Sequence, residues 1–378
     1  MPKVSIAMAS YNHRPYVAAA LQSALDQSFQ DFEIIVTDDG STDGTAEEIA
    51  TIRDRRVSLE TSPRNYGGSV ALNSSILRSH GEYIAVLNSD DLFLPGKLQQ
   101  QVEFLDANPH IGAVFGYPTF IDSDGNALPD EATFYRDTFR VRNRSRAEWL
   151  RHFFFLGNVL CHPSVLIRRR CYDTIGLYNP ALAQIPDLEM WIRVLHRFEI
   201  HLMETPLVGF RILKGDQNAS AGRPDAIVRV QWEWTHVLSH YLTLDNALLS
   251  EVFPELPRAF PSSPYPRWMT RLARSRLDKV TGQPEEMART NVNPSLGEGA
   301  RAPLPFLWFL GELAWRVGKP PHVLFGLAVM HRAIADLNEP SYFRDFIGRT
   351  GSYDLFDVLS KAPPGVNISH DPVPPRLE

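Results

Sequence analysis

Cysteine is nearly absent from this chain. Only Cys161 and Cys171 occur in 378 residues. They form no CxxC pair, so zinc-ribbon and dithiol-redox motifs have no support, and a reducing compartment is expected. Long apolar runs are also missing. The most apolar late stretch, Leu304 to Val317, is interrupted by Glu312 and is shorter than the roughly 20 residues of a membrane span. Met1-Pro2-Lys3-Val4-Ser5 runs into a strand without an apolar signal core. These absences predict a cytoplasmic protein. There is no excess of positive charge either. The net charge is −6, which argues against nucleic acid as a partner. No GxGxxG follows the first strand, which counts against a dinucleotide-dependent oxidoreductase. No internal repeat is visible.

What is present is βα alternation. Lys3 to Ala9 reads as a strand, with Val4, Ile6 and Met8 alternating, and Ser10-Tyr11-Asn12 as a turn. Arg14 to Gln27 reads as a helix, with Val17, Leu21, Ala24 and Leu25 on one face. A strand over Glu33 to Thr37 ends at Asp38-Asp39-Gly40-Ser41-Thr42-Asp43-Gly44-Thr45, a run of turn formers and helix caps. A helix from Thr45 to Arg53, a strand from Val57 to Thr61 and a helix from Ser69 to Ser79 follow. The apolar run Tyr83-Ile84-Ala85-Val86-Leu87 then stops abruptly at Asn88-Ser89-Asp90-Asp91. Such alternation with short connections implies a mostly parallel sheet flanked by helices. Parallel strands share their C-terminal ends. Ala9 to Asn12, Asp38 to Asp39 and Asn88 to Asp91 therefore meet at one sheet edge, where α/β folds bind ligands. Adjacent carboxylates there supply hard oxygen ligands suited to Mg²⁺ or Mn²⁺, together with substrate phosphates.

These segments resemble the family-2 glycosyltransferases with the GT-A fold. The resemblance runs through Pro2 to Asn12, Gln27 to Val36, Asp38 to Thr45, and Gly81 to Ile84 leading into Asn88 to Asp91. It is specific over residues 3 to 95 and extends to about 220. It implies a nucleotide-sugar donor, most simply a UDP-sugar. Ala9, Tyr11 and Asn12 would border the nucleotide, and Asp39 would bond the base. Asn88-Ser89-Asp90 stands at the family's Asp-x-Asp element. Asp90 would hold the metal, while Asn88, in place of an acid, would face the ribose. Asp91 is a supporting acid or helix cap.

The resemblance continues at Gln184 to Val194, the family's acid-before-tryptophan helix. It implies that Asp187 is the general base, with Glu189 and Trp191 beside it. Pro186 fits a helix start. His162 falls on the acceptor side. Phe210-Arg211-Ile212-Leu213-Lys214 resembles the family's aromatic-Arg ending. Leu213 and Lys214 stand where a histidine often follows, so Lys214 is the candidate diphosphate contact. Residues 215 to 224 would form a loop over the donor.

The expected organisation is a GT-A domain over 1–224, a mainly helical accessory region over 225–360 and a proline-rich tail over 361–378. Arg267, Arg271, Arg274, Arg276 and Lys279 on an amphipathic helix make that region a candidate for peripheral contact with the inner membrane face, a lipid-linked acceptor or self-association. The expected function is inverting, metal-dependent transfer of a sugar to a saccharide or glycan-precursor hydroxyl, with Mn²⁺ or Mg²⁺ as cofactor. Two alternatives compete with it. A sugar-nucleotide nucleotidyltransferase would need a Gly-rich basic loop where Ser10-Tyr11-Asn12-His13 stands. A non-catalytic binding module would be consistent with Asn88 and Leu213.

Overall fold

The computed structural model describes residues 1–129, 136–213 and 224–254. Lys214, the loop expected over 215–224 apart from Pro224, which begins a helix, the basic helix around Arg267 to Lys279 and the proline-rich tail lie outside the described residues. The chain divides into two compact units, Met1–Glu233 and Trp234–Glu378.

The first unit opens with β1 (Val4–Ser10), α1 (Arg14–Leu25), β2 (Phe32–Asp38), α2 (Thr45–Thr51), β3 (Val57–Thr61), α3 (Gly68–Arg78) and β4 (Tyr83–Val86). A two-residue strand β5 (Leu92–Phe93), α4 (Lys97–Ala107) and the long β6 (Ile111–Ile121) follow. Next come α5 (Arg136–Phe139), α6 (Arg146–Phe155), β7 (Leu166–Arg168), α7 (Arg169–Ile175), α8 (Pro186–Leu195) and β8 (Glu199–Arg211). Helix α9 (Pro224–Leu238) crosses into the second unit, which continues with a 3₁₀ turn over Ser239–Thr243 and α10 (Asn246–Val252). There Asp245 caps α10 through the Leu248 amide, and the Tyr241 and Phe253 rings lie 6.2 Å apart.

The eight strands form one sheet in the order β3-β2-β1-β4-β7-β6-β8-β5. β1 pairs in parallel with β2 and β4, and β2 with β3. Val4, Ile6, Ala7 and Met8 are buried, as are Ile34, Ile35 and Val36. Burial on both faces is why these strands are apolar runs rather than strict alternations. The parallel half is the one expected from βα alternation. The other half is mixed. β7 runs antiparallel to β4 and β6, β6 pairs in parallel with β8, and β5 closes the edge antiparallel to β8. Pairing of Leu92 with Gly209 and Phe93 with Val208 seats the end of β8 against the Asn88–Asp91 turn.

Candidate active site

The C-terminal ends of β1, β2 and β4 meet at one edge, cross-tied by side chains that stop each strand. Asn12 takes a positive φ of 52°, a conformation that Asn tolerates better than most residues. Its Oδ1 accepts the Thr42 amide at 2.9 Å, and its own N–H donates to Ser41 Oγ at 2.9 Å. Asp38 accepts from Ser10 Oγ, Ser41 Oγ and the Ser41 amide. Asp39 is 2% exposed and accepts the Tyr66 and Gly67 amides at 2.9 and 2.8 Å. It thus shapes the loop before α3. A carboxylate has about four lone-pair sites, so Asp39 keeps acceptor capacity beyond these two bonds. Tyr11 and Tyr66 are 43% and 48% exposed, and the Arg64 guanidinium lies 4.8 Å from the Tyr66 ring centroid. The rim therefore carries two exposed tyrosines, one with a guanidinium over its ring.

The Asn88–Asp91 turn lies beside this rim. Asn88 Nδ2 donates to Asp91 Oδ2 at 2.9 Å, and the Arg211 amide donates to Asp91 Oδ1 at 2.8 Å. Asp91 is thereby a buried clamp between the turn and β8. Arg211 completes it, donating to the carbonyls of Asp90, Asp122 and Ser123. Ser89 Oγ bonds His13 Nδ1 at 2.8 Å. Burial raises the proton affinity of Asp90, while His13 and Arg211 pull it down. Burial, then the charge on Asp90, pushes Asp91 well above the carboxylate range. No side chain among the described residues donates to the Asp90 carboxylate. It is the free acid of the pair. No cluster of three or more His, Cys, Asp or Glu side chains among the described residues could hold a metal by itself. A divalent ion at Asp90 would complete its shell from diphosphate and water, which is how Mg²⁺ is usually held.

Asp187 begins α8 behind Pro186. Asn158 Nδ2 donates to its Oδ2 at 2.7 Å, and the Leu188 amide to its Oδ1 at 2.8 Å. Burial pushes its pKa up to about 6 against these two bonds. Glu233 on α9 holds the approach to this helix, accepting the Ala183, Gln184 and Ile185 amides. The buried Cys161 thiol feels the charges of both Asp91 and Asp187.

The remaining expected residues are engaged with neighbouring side chains and carbonyls. Glu189 is buried in a two-bond pair with Arg193, whose guanidinium also holds the carbonyls of Ile175, Gly176 and Leu177. Trp191 is fully buried, edge-on to Phe115 at 4.7 Å. His162 Nε2 lies 3.0 Å from the Tyr178 hydroxyl, and burial lowers its pKa to about 4. Sequence reasoning missed His13, Asn158 and Glu233. His13 directly follows the first strand-end turn and could have been found there. Asn158 and Glu233 carry no local signal.

The mostly parallel sheet flanked by helices, with its acid turn at the shared strand edge, is a fold of the GT-A type. Residues 1–349 of Staphylococcus aureus TarS, solved in complex with UDP-GlcNAc, share the fold with a TM-score of 0.53 at 17% identity, over 93% of each chain. Residues 5–172 match the profile of Glycosyl transferase family 2. A Bacillus subtilis protein named for teichuronic acid biosynthesis is 36% identical over 220 residues, 56% of this chain and 80% of that one. A Methanocaldococcus jannaschii glycosyltransferase is 28% identical over 224 residues, 58% of this chain and 74% of that one. For a Haemophilus influenzae glycosyltransferase, 39% identical over 130 residues, the match spans only 52% of the relative. The chain belongs to glycosyltransferase family 2. No helix among the described residues is long and apolar enough to cross a membrane.

Proposed function

We propose that this protein is an inverting, metal-dependent glycosyltransferase that moves a sugar from a UDP-sugar to a hydroxyl of a saccharide acceptor. The observation that carries this reading is the parallel sheet edge that gathers Asp39 and Asp90, together with the Asp187 carboxylate bonded at both oxygens at the start of α8. Among the described residues no side chain donates to the Asp90 carboxylate, and burial pushes the Asp187 pKa up to about 6.

In this reading Tyr11 and Tyr66 flank the base, Asp39 accepts from it, and Asn12 and Asn88 border the sugar of the nucleoside. Asn88 is turned toward Asp91, so its contact with the ribose uses the amide oxygen. Asp90 would hold Mn²⁺ or Mg²⁺, and such an ion supplies charge neutralisation for the diphosphate leaving group. The acceptor oxygen attacks the anomeric carbon from the face opposite the diphosphate. Its proton passes to Asp187, and the bond to the diphosphate oxygen breaks with its electron pair. One displacement inverts the anomeric configuration. With a pKa near 6, Asp187 is mostly ionised at neutral pH yet close to the optimum for a base. The UDP-GlcNAc complex of TarS supports the choice of UDP. The B. subtilis relative supports a polysaccharide product.

Calorimetric titration with UDP, GDP and dTDP, each with and without Mn²⁺, tests the donor site. The expected result is Mn²⁺-dependent binding of UDP, lost in Asp90→Ala. Absence of binding to all three nucleotides would refute it. Asn88, in place of the first acid, favours one second reading, a binding module without turnover. UDP binding without any hydrolysis or transfer of UDP-sugars would select it.

A further inference from the structure

We propose that Asn158 is a positioning residue for Asp187, fixing its carboxylate and setting its proton affinity. This rests on the assignment of Asp187 as the base and adds a residue that chain order hides. Asn158 follows Gly157, whose φ of 93° turns the chain after α6. The Leu160 amide donates to Asn158 Oδ1 at 3.0 Å. An N–H can bond only the oxygen of the side-chain amide, which fixes the flip. Nδ2 is left as a donor, and it lies 2.7 Å from Asp187 Oδ2. The Leu188 amide holds the other oxygen. The carboxylate is therefore gripped at both atoms, one bond from its own helix and one from a separate loop.

A donor aimed at a carboxylate stabilises its charged form. Here it opposes the burial that pushes Asp187 toward neutrality. Other ionisable groups on the adjoining segments are tied up or uncharged. Tyr178 is bonded to His162 and Tyr172. Cys161 is a buried thiol pushed far from ionisation. Glu189 is paired with Arg193, and Glu233 with three amides. Asn158 is thus the one side chain bonded to the Asp187 carboxylate among the described residues.

The test uses the full chain with UDP-GlcNAc as donor and water as acceptor, following UDP release against pH. Asp187 is titrated separately by carbon NMR of the carboxyl-labelled protein, with Asp187→Asn identifying the signal. Asn158→Leu should move the Asp187 midpoint up by about one to two pH units, the equivalent of one hydrogen bond to a charged group. Asn158→Asp, nearly the same size, should move it further by placing a second carboxylate at that atom. UDP affinity should stay within twofold of wild type in both. An unmoved midpoint in both variants would overturn the proposal, even if the rate fell. A midpoint that moves while the rate profile does not would uphold the hold of Asn158 on Asp187 and overturn the base assignment instead.

Discussion

Lys97 carries the sharpest prediction about stability. It is the first residue of α4 and 0% exposed. Its ammonium donates to Gln101 Oε1 at 2.7 Å and to the Val165 carbonyl at 3.4 Å, and lies 4.2 Å from the Phe93 ring centroid. No carboxylate pairs with it among the described residues. Burial lowers its pKa from 10.5 to about 7. Because the folded value is depressed, the unfolded chain binds the proton more tightly. The burden on stability is full below about pH 7, shrinks through the window from 7 to 10.5, and is gone above it. At about 1.4 kcal/mol per unit the whole effect approaches 5 kcal/mol. Lys97→Met removes the charge at similar length. It also leaves Gln101 Oε1 without a donor, a roughly pH-independent penalty of about 1–3 kcal/mol. The difference between the proteins therefore isolates the titration. Urea unfolding should show the variant losing about 2–3 kcal/mol relative to wild type between about pH 7.5 and 9.5. A difference that stays flat over that range would mean that Lys97 keeps its charge in the fold, and would refute the reasoning.

Two further substitutions probe the scaffold of the site. Gly40 has φ of 72°, and a Cβ there would lie 2.6 Å from the Arg64 carbonyl carbon. Gly40→Ala should destabilise the fold by about 2 kcal/mol or more and weaken UDP binding in calorimetry by displacing the loop that Asp39 holds. Glu233→Ala strips the acceptor from the Ala183, Gln184 and Ile185 amides. It should lower the melting temperature and reduce release of UDP from UDP-GlcNAc, while UDP affinity is retained. Unchanged turnover in that variant would separate the loop before α8 from the function of Asp187.

The parallel half of the sheet was legible because its signal is local. Val4 to Met8 and Ile34 to Val36 are buried on both faces, and a buried strand declares itself by an unbroken apolar run. Each run ends at turn formers and acids, so the convergence of Asn12, Asp39 and Asp90 on one edge follows from parallel pairing alone. The start of α8 was legible through Pro186, which suits a first helical position. The mixed half was not. Pairing of β8 with β6 and β5 joins segments about a hundred residues apart, and no periodicity encodes a partner at that distance. Those pairings decide what the acids do. Asp90 and Asp91 look alike in sequence. The fold spends Asp91 on the Arg211 amide and leaves Asp90 free. Glu189 and Asp187 lie two residues apart on one helix. The fold gives Glu189 to Arg193 and faces Asp187 with Asn158. The sequence by itself determined which residue types gather at the sheet edge. Tertiary structure decided which of them remain available, because a carboxylate's chemistry depends on burial and on donors contributed by distant segments.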